Sequence, residues 1–145
     1  MTMPSDMRAY NRALIEEFRA NDGKLGGQRA NSSLLLLTTT GARSGQPRTI
    51  PLGYVKDGDR LIVLAANAGA PAHPDWYHNL RANPLVTVEL GAERFQAHAS
   101  DAQGAERERL AALIPWFAAQ QAKTSRIIPV VMLDRLGADT EAGQD

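Results

Sequence analysis

Residues 33–48 read Ser-Leu-Leu-Leu-Leu-Thr-Thr-Thr-Gly-Ala-Arg-Ser-Gly-Gln-Pro-Arg, and the fold turns on how this stretch divides. Four leucines and three threonines are too few for a typical helix and end in β-branched residues, so residues 33–40 read as a buried strand. Residues 41–46 hold two glycines and a serine and read as a turn. Residues 47–56 return as a second strand. Pro47 and Pro51 each remove a ladder donor, which assigns that strand to a sheet edge or to a bulge.

Working toward the C-terminus, Asp57-Gly58 is a hairpin signal leading into a third strand at residues 60–65. Residues 66–72 are mostly small, and a short helix follows with Pro74 at its first position and Asn83-Pro84 at its end. Residues 85–90 and 93–99 form a hairpin about Gly91-Ala92. Ser100 and Gln103 match a capping box ahead of a third helix, with Leu110, Leu113, Ile114 and Phe117 as its apolar stripe. Residues 127–133 are the last strand, which Pro129 weakens for a central place in the sheet.

Working toward the N-terminus, residues 23–32 are a polar, Gly-rich loop. Before it, Ser5 caps a helix starting at Asp6, with Met7, Tyr10, Leu14 and Phe18 at helical spacing and Asn21-Asp22-Gly23 as its stop. Docking on its own domain is the expected role of this helix; a lid over a site or a weak peripheral membrane contact are the alternatives. The sum is an α+β fold: six mostly antiparallel strands around a small barrel, with three flanking helices. One domain spans residues 1–145, divided into a helix at 1–22, a core at 30–135 and a polar tail at 136–145.

Sixteen basic residues balance 16 acidic ones, which argues against a nucleic-acid binder. With no cysteine there are no disulfides, thiolate nucleophiles or Cys-ligated metals. No apolar run reaches the roughly 20 residues needed to span a bilayer, and the N-terminus lacks the pattern of a secretory signal. A cytoplasmic location is expected. His73, His78 and His98 lack metal-site spacing, and no Ser-His-Asp set or Gly-x-Gly-x-x-Gly fingerprint stands out.

Chemistry concentrates in three places. In the 41–48 turn, glycines let backbone N–H groups converge, Ser44 adds a hydroxyl, and Arg43 and Arg48 add forked donors suited to phosphate. A hairpin with solvated arginines is the plain alternative. The small residues at 65–71 would let a flat ligand approach the backbone, or are simply a loop. Trp76 and Tyr77 open a helix, where N–H groups favour anions. Their indices differ by about 100° around the axis, so one of the two is expected in the core. An anion cradle beside a narrow slot suits an enzyme whose bound redox cofactor performs the chemistry.

Three segments together resemble the deazaflavin-dependent nitroreductase family of actinobacteria: residues 36–48 with Pro51-Leu52, the Pro74-x-Trp76-Tyr77-x-Asn79-Leu80-x-Ala82-Asn83-Pro84 run, and Arg126-x-Ile128-Pro129-Val130. The resemblance covers residues 30–133. It implies a split β-barrel that binds coenzyme F-420, an 8-hydroxy-5-deazaflavin. It also implies that Arg43, Ser44, Gly45 and Arg48 hold the phosphate and acidic tail. Pro51, Ala65, Ala66 and Asn67 would border the deazaflavin ring, with Trp76 and Asn79 close by.

Hydride would pass directly to a small organic acceptor: a quinone, a nitroaromatic or an activated alkene. The tyrosines that nitroreductases of the family carry on the third helix and beside Leu52 are replaced here by Phe117, Gln120 and Gly53, which counts against nitro compounds. Tyr54 and Tyr10 are the remaining candidates for a proton donor or substrate contact. An FMN-binding oxidase-like protein, a non-catalytic carrier and an interaction module are the alternative functions. Pairing into a homodimer through a sheet face is compatible with each.

Overall fold

The computed structural model describes residues 4–26 and 33–136. Among the described residues there are four α-helices: α1 (Pro4–Ala20), α2 (Asp75–Ala82), α3 (Gly104–Ala111) and α4 (Phe117–Gln121). Seven strands alternate with them: β1 (Leu34–Thr40), β2 (Pro47–Gly53), β3 (Val55–Asp57), β4 (Arg60–Leu64), β5 (Leu85–Leu90), β6 (Glu93–Asp101) and β7 (Val130–Arg135). They form one antiparallel sheet in the order β2-β1-β5-β6-β7-β4-β3, curled into a half-barrel.

The seventh strand comes from a change of partner. Residues 47–53 pair with β1, and the Tyr54 N–H closes that ladder on the Ser33 carbonyl. The next residue, Val55, already pairs with Ile62 of β4. What reads as one strand over 47–56 is therefore two strands on opposite edges of the sheet, joined at a corner. β2 is an edge strand, as its prolines require.

Three further expectations are corrected. The third helix is two short ones, because Pro115 lacks an N–H and cannot continue the turn; Leu110 and Ile114 stay buried while Leu113 is exposed. The capping box is not used: Ser100 and Asp101 pair with Met132 and Val131 as the end of β6, and Gln103 precedes α3 with no side-chain cap bond. The last strand begins after Pro129, so it pairs on both sides, with β6 and β4, and lies inside the sheet. Smaller differences are that Pro74 sits one position before α2 and that α1 starts at Pro4. Part of the 23–32 loop and the tail from Gly137 lie outside the described residues.

The four-leucine run is buried because both faces of β1 are covered. Leu35 and Leu37 face the barrel core with Val63, Val88, Val131 and Leu133. Leu36 faces the other way, against Leu14 and Phe18 of α1 and Leu25. A third cluster lies under α3, with Leu110 and Ile114 on Ile62, Val130 and Met132. α1 is also tied down by charge: Arg19 donates to both Glu89 oxygens, at 2.9 and 2.7 Å, and Glu89 is buried on β5. Among the described residues no helix is long and apolar enough to cross a membrane.

The β3–β4 hairpin is fastened to α3 by ion pairs. Arg60 reaches Asp57 at 2.8 Å and Glu106 at 2.9 Å, and Arg109 donates to both Asp57 oxygens. The bonds from Arg109 and Arg60 hold the Asp57 carboxyl well below the usual carboxylate range. The folded state thus favours the ionised form. The stability this adds is full above the unfolded carboxylate value of about 4 and is lost as pH falls through the lower folded value. Asp57→Asn should melt below the wild-type chain at neutral pH, and the gap in Tm should close on acidification. A gap that stays constant from pH 7 into strong acid would contradict this assignment.

Candidate functional site

The Gly41–Gln46 pair closes the β1–β2 turn, with the Gly41 N–H donating to the Gln46 carbonyl at 2.8 Å. Inside it the Gly45 N–H donates to the Gly41 carbonyl at 2.9 Å, and Ser44 Oγ accepts from the Gln46 N–H at 3.1 Å. Gly45 has φ of 73°, which an L side chain adopts only under strain. At Gly41 a Cβ would stand 2.6 Å from Ser44 Oγ, so glycine is what lets the serine fold back over the turn.

Asn79 of α2 fixes this turn in place. Its Oδ1 accepts from the Ala42 N–H at 2.9 Å, and its Nδ2 donates to Thr39 Oγ1 at 3.1 Å. The side chain is 8 % exposed, so both bonds are shielded from competing water. A polar residue on the inner face of a helix is thereby spent on placing a loop. Asn79→Leu leaves the Ala42 and Thr39 groups without their partner and is expected to destabilise the chain by about 1–3 kcal/mol. Differential scanning fluorimetry checks it; a change below about 0.5 kcal/mol would mean that water replaces the amide at no cost.

The result is an open groove of about 480 Å³ between the turn and the first turn of α2. Arg43, Ser44, Arg48, Trp76 and Asn79 line it together, and Asp75 is the single acidic residue among its walls. Arg43 and Arg48 are exposed, and no carboxylate among the described residues pairs with either. Two unneutralised guanidinium groups, with the N-terminal end of α2 opposite, give the groove the chemistry that an anion requires. Trp76 and Tyr77 are both buried, at 8 % and 5 %, against the expectation that only one would be. Both belong to the barrel-core cluster, and the His73 ring lies 4.8 Å from that of Tyr77, so two adjacent positions meet protein.

A model of the family described as F420H(2)-dependent quinone reductase matches residues 10–135. The chain belongs to this family. A relative named as an F420H(2)-dependent quinone reductase of Mycobacterium tuberculosis is 39 % identical over 126 residues, covering 81 % of this chain and 85 % of the relative. Among solved structures, an F420-H2 dependent reductase (FDR-A) superposes with a TM-score of 0.65 and 38 % identity, over 70 % of this chain and 94 % of that one. Another, described as a domain-swapped dimer, gives a TM-score of 0.67 and 35 % identity, over 91 % of this chain and all of that one. The chain is therefore an F-420-dependent reductase with the split-barrel fold expected from its sequence, and coenzyme F-420 is its cofactor. The groove suits that cofactor, since a phosphate and a carboxylate tail need fixed cations and N–H donors.

Not all residues singled out for F-420 lie in the groove of this quinone reductase family member. Gly45 closes the turn without lining it. Pro51 pairs with Leu36, on the face of β2 opposite to Arg48 and Ile50. Ala65 is buried at the end of β4, while Ala66 and the exposed Asn67 begin the loop to α2. Tyr54 is half-buried and lines a separate hollow with Trp116, whose ring rests about 3.4 Å from where a Gly53 Cβ would stand. Tyr10 is 46 % exposed on α1. Phe117 packs beside the α3 cluster, under the Arg107 guanidinium.

Sequence reasoning missed the role of Arg126, which appeared only inside a family-like motif. Its guanidinium donates to the carbonyls of Ala65, Ala66 and Ala70 and to His73 Nδ1. An arginine only donates, so Nδ1 of His73 is the acceptor and the ring is neutral with its proton on Nε2. Burial, and then the Arg126 charge, push His73 below its ordinary value. Also missed was the polar bolt on the far side of α2. The Tyr77 hydroxyl donates to Asp101 at 2.6 Å and accepts from Arg81 at 2.8 Å. Burial, and then the bond to Asp101, raise the Tyr77 pKa.

Proposed function

We propose that the chain reduces quinones with F-420H2, and that the 41–48 turn is the anchor for the cofactor's charged end. The observation that carries this is the pair of guanidinium groups of Arg43 and Arg48, without carboxylate partners among the described residues, on a turn that Asn79 clamps to α2. In this reading Arg43, Ser44 and Arg48 bind the phosphate and the glutamyl tail, on a turn whose shape Gly45 provides. Ala65, Ala66 and Asn67, with Trp76 and Asn79 nearby, border the ring, and Pro51 contributes through the main chain of β2, since its side chain faces the other way. The bound reduced deazaflavin would supply the hydride.

The residues of the chain contribute binding, orientation and exclusion of water from the reacting face. Reduction of a quinone to the hydroquinone consumes one hydride and one proton. No buried acid is required of the protein, because the quinone oxygens can take the proton from solvent. A nitro group places more demand on proton delivery, and Gly53, Phe117 and Gln120 offer no phenol for it. The names of the relatives support the quinone as acceptor. The structure that is a domain-swapped dimer supports pairing of this chain as well.

The test is anaerobic turnover of F-420H2 with a naphthoquinone, a nitroimidazole and an activated alkene. The naphthoquinone is expected to exceed the nitroimidazole in kcat/KM by about tenfold or more. Equal or faster nitroimidazole turnover would reject the quinone as preferred acceptor while leaving the cofactor assignment intact.

A further inference from the structure

The loop between β4 and α2 holds an uncommon backbone. Asn67, Ala68 and Gly69 are consecutive left-handed residues, with φ of 51°, 54° and 82°. Asparagine tolerates this region and glycine is free to enter it, but alanine has no local compensation for it. The loop's own bonds are few: Gly69 N–H to the Ala66 carbonyl, Ala70 N–H to the Asn67 carbonyl, and Asn67 Nδ2 to the Ala72 carbonyl. A backbone kept in such a state is held from outside, and sites of this kind cluster where a ligand is positioned.

What holds it is Arg126. Nε reaches the Ala70 carbonyl at 3.1 Å, Nη2 the Ala66 carbonyl at 2.7 Å, and Nη1 both the Ala65 carbonyl at 3.3 Å and His73 Nδ1 at 2.7 Å. One planar fork thus ties the start, middle and end of the loop. All four acceptors are neutral, so the cation is not neutralised by its partners. Arg126 is itself braced: its N–H donates to Thr124 Oγ1 at 3.1 Å and its carbonyl accepts from Gln121 Nε2 at 2.6 Å. Gln121 Oε1 in turn accepts from the Ile128 N–H at the entry to β7. On the other side, Gly69 lets the Lys123 stem pack where a Cβ would be only 2.5 Å away.

We infer that Arg126 is a positioning residue for hydride transfer: it shapes the 65–73 loop, and through Ala65, Ala66 and Asn67 sets the ring of the cofactor against its acceptor. This rests on the functional reading above, in which those three residues border the ring. Arg126 has no place in the 41–48 groove, so its loss misplaces the ring without releasing the anchored phosphate end.

The experiment compares the wild-type chain with Arg126→Gln and Arg126→Lys, by F-420 titration, quinone turnover and amide hydrogen exchange. For Arg126→Gln, kcat is expected to fall on the order of 10- to 100-fold, while the F-420 dissociation constant changes by less than about threefold. The Gly69 and Ala70 amides should exchange at least about tenfold faster, with the Val63 amide in β4 unchanged. Arg126→Lys keeps the charge without the fork, so it should recover little of the lost kcat. It also stands in if the glutamine variant does not fold. Unchanged turnover and unchanged exchange in either variant would overturn the inference. A wild-type chain that binds no F-420 would instead sink the functional reading, and the kinetic half of this proposal with it.

Discussion

Replacing Arg48 by alanine is expected to weaken F-420 binding by about 1.5–3 kcal/mol, which is roughly a 10- to 150-fold rise in the dissociation constant. The size follows from what the side chain lacks in the free protein. Arg48 is exposed on the edge strand β2 and pairs with no carboxylate among the described residues, so cofactor binding would not have to break an existing ion pair. The turn that presents it is already fixed by Asn79 and by the Gly41–Gln46 pair, so little ordering entropy is lost on binding. The same features make the change harmless to folding, with a Tm within a degree or two of the wild-type value. Affinity in the variant should also depend less on salt, since one screened attraction has gone. An Arg48→Ala protein that binds F-420 as tightly as before would remove the phosphate from this groove.

Phe18→Ala is expected to cost about 3–5 kcal/mol of stability, a fall in Tm of roughly 10–20 °C for a chain of this size. Phe18 is 2 % exposed and fills the space between α1 and β1, against Leu14, Leu25 and Leu36. This cluster is small, and few side chains remain to collapse into the cavity. The buried Glu89, whose partner Arg19 sits one residue after Phe18, depends on the same docking. The result separates two roles of the N-terminal helix. A docked element gives the full loss, whereas a lid that spends its time open would give less than about 1 kcal/mol.

Local signals carried much of this fold. The buried strand at 34–37, the Asp57-Gly58 and Gly91-Ala92 hairpins and the stop at Asn83-Pro84 depend on neighbours in sequence, and each is found where the residues call for it. Choices decided by distant partners were not legible. The run 47–56 changes partner at Tyr54, and a change of partner leaves no mark in side-chain periodicity. Ser100 obeyed β7 rather than the helix it could have capped, because the ladder that pairs it with Met132 extends β6 past the start of any such cap. Pro115 was visible, yet the apolar stripe across it masked the break.

The candidate site divides in the same way. Arg43, Ser44 and Arg48 were readable because glycine and arginine in one turn have few other uses, and Trp76 and Asn79 join them in the groove. Arg126 was not readable, because its four acceptors lie 53 to 61 residues away and nothing near it in sequence names them. The bolt of Tyr77, Arg81 and Asp101 crosses from α2 to β6 and was hidden for the same reason.

The central claim is that this barrel anchors a deazaflavin by its charged end, and fluorescence titration of the purified chain with oxidised F-420, with FMN run beside it, tests that claim most directly. The account predicts low-micromolar or tighter binding of F-420, weakened by salt and by Arg48→Ala, with FMN bound far more weakly. Tight binding of FMN with none of F-420 would contradict it.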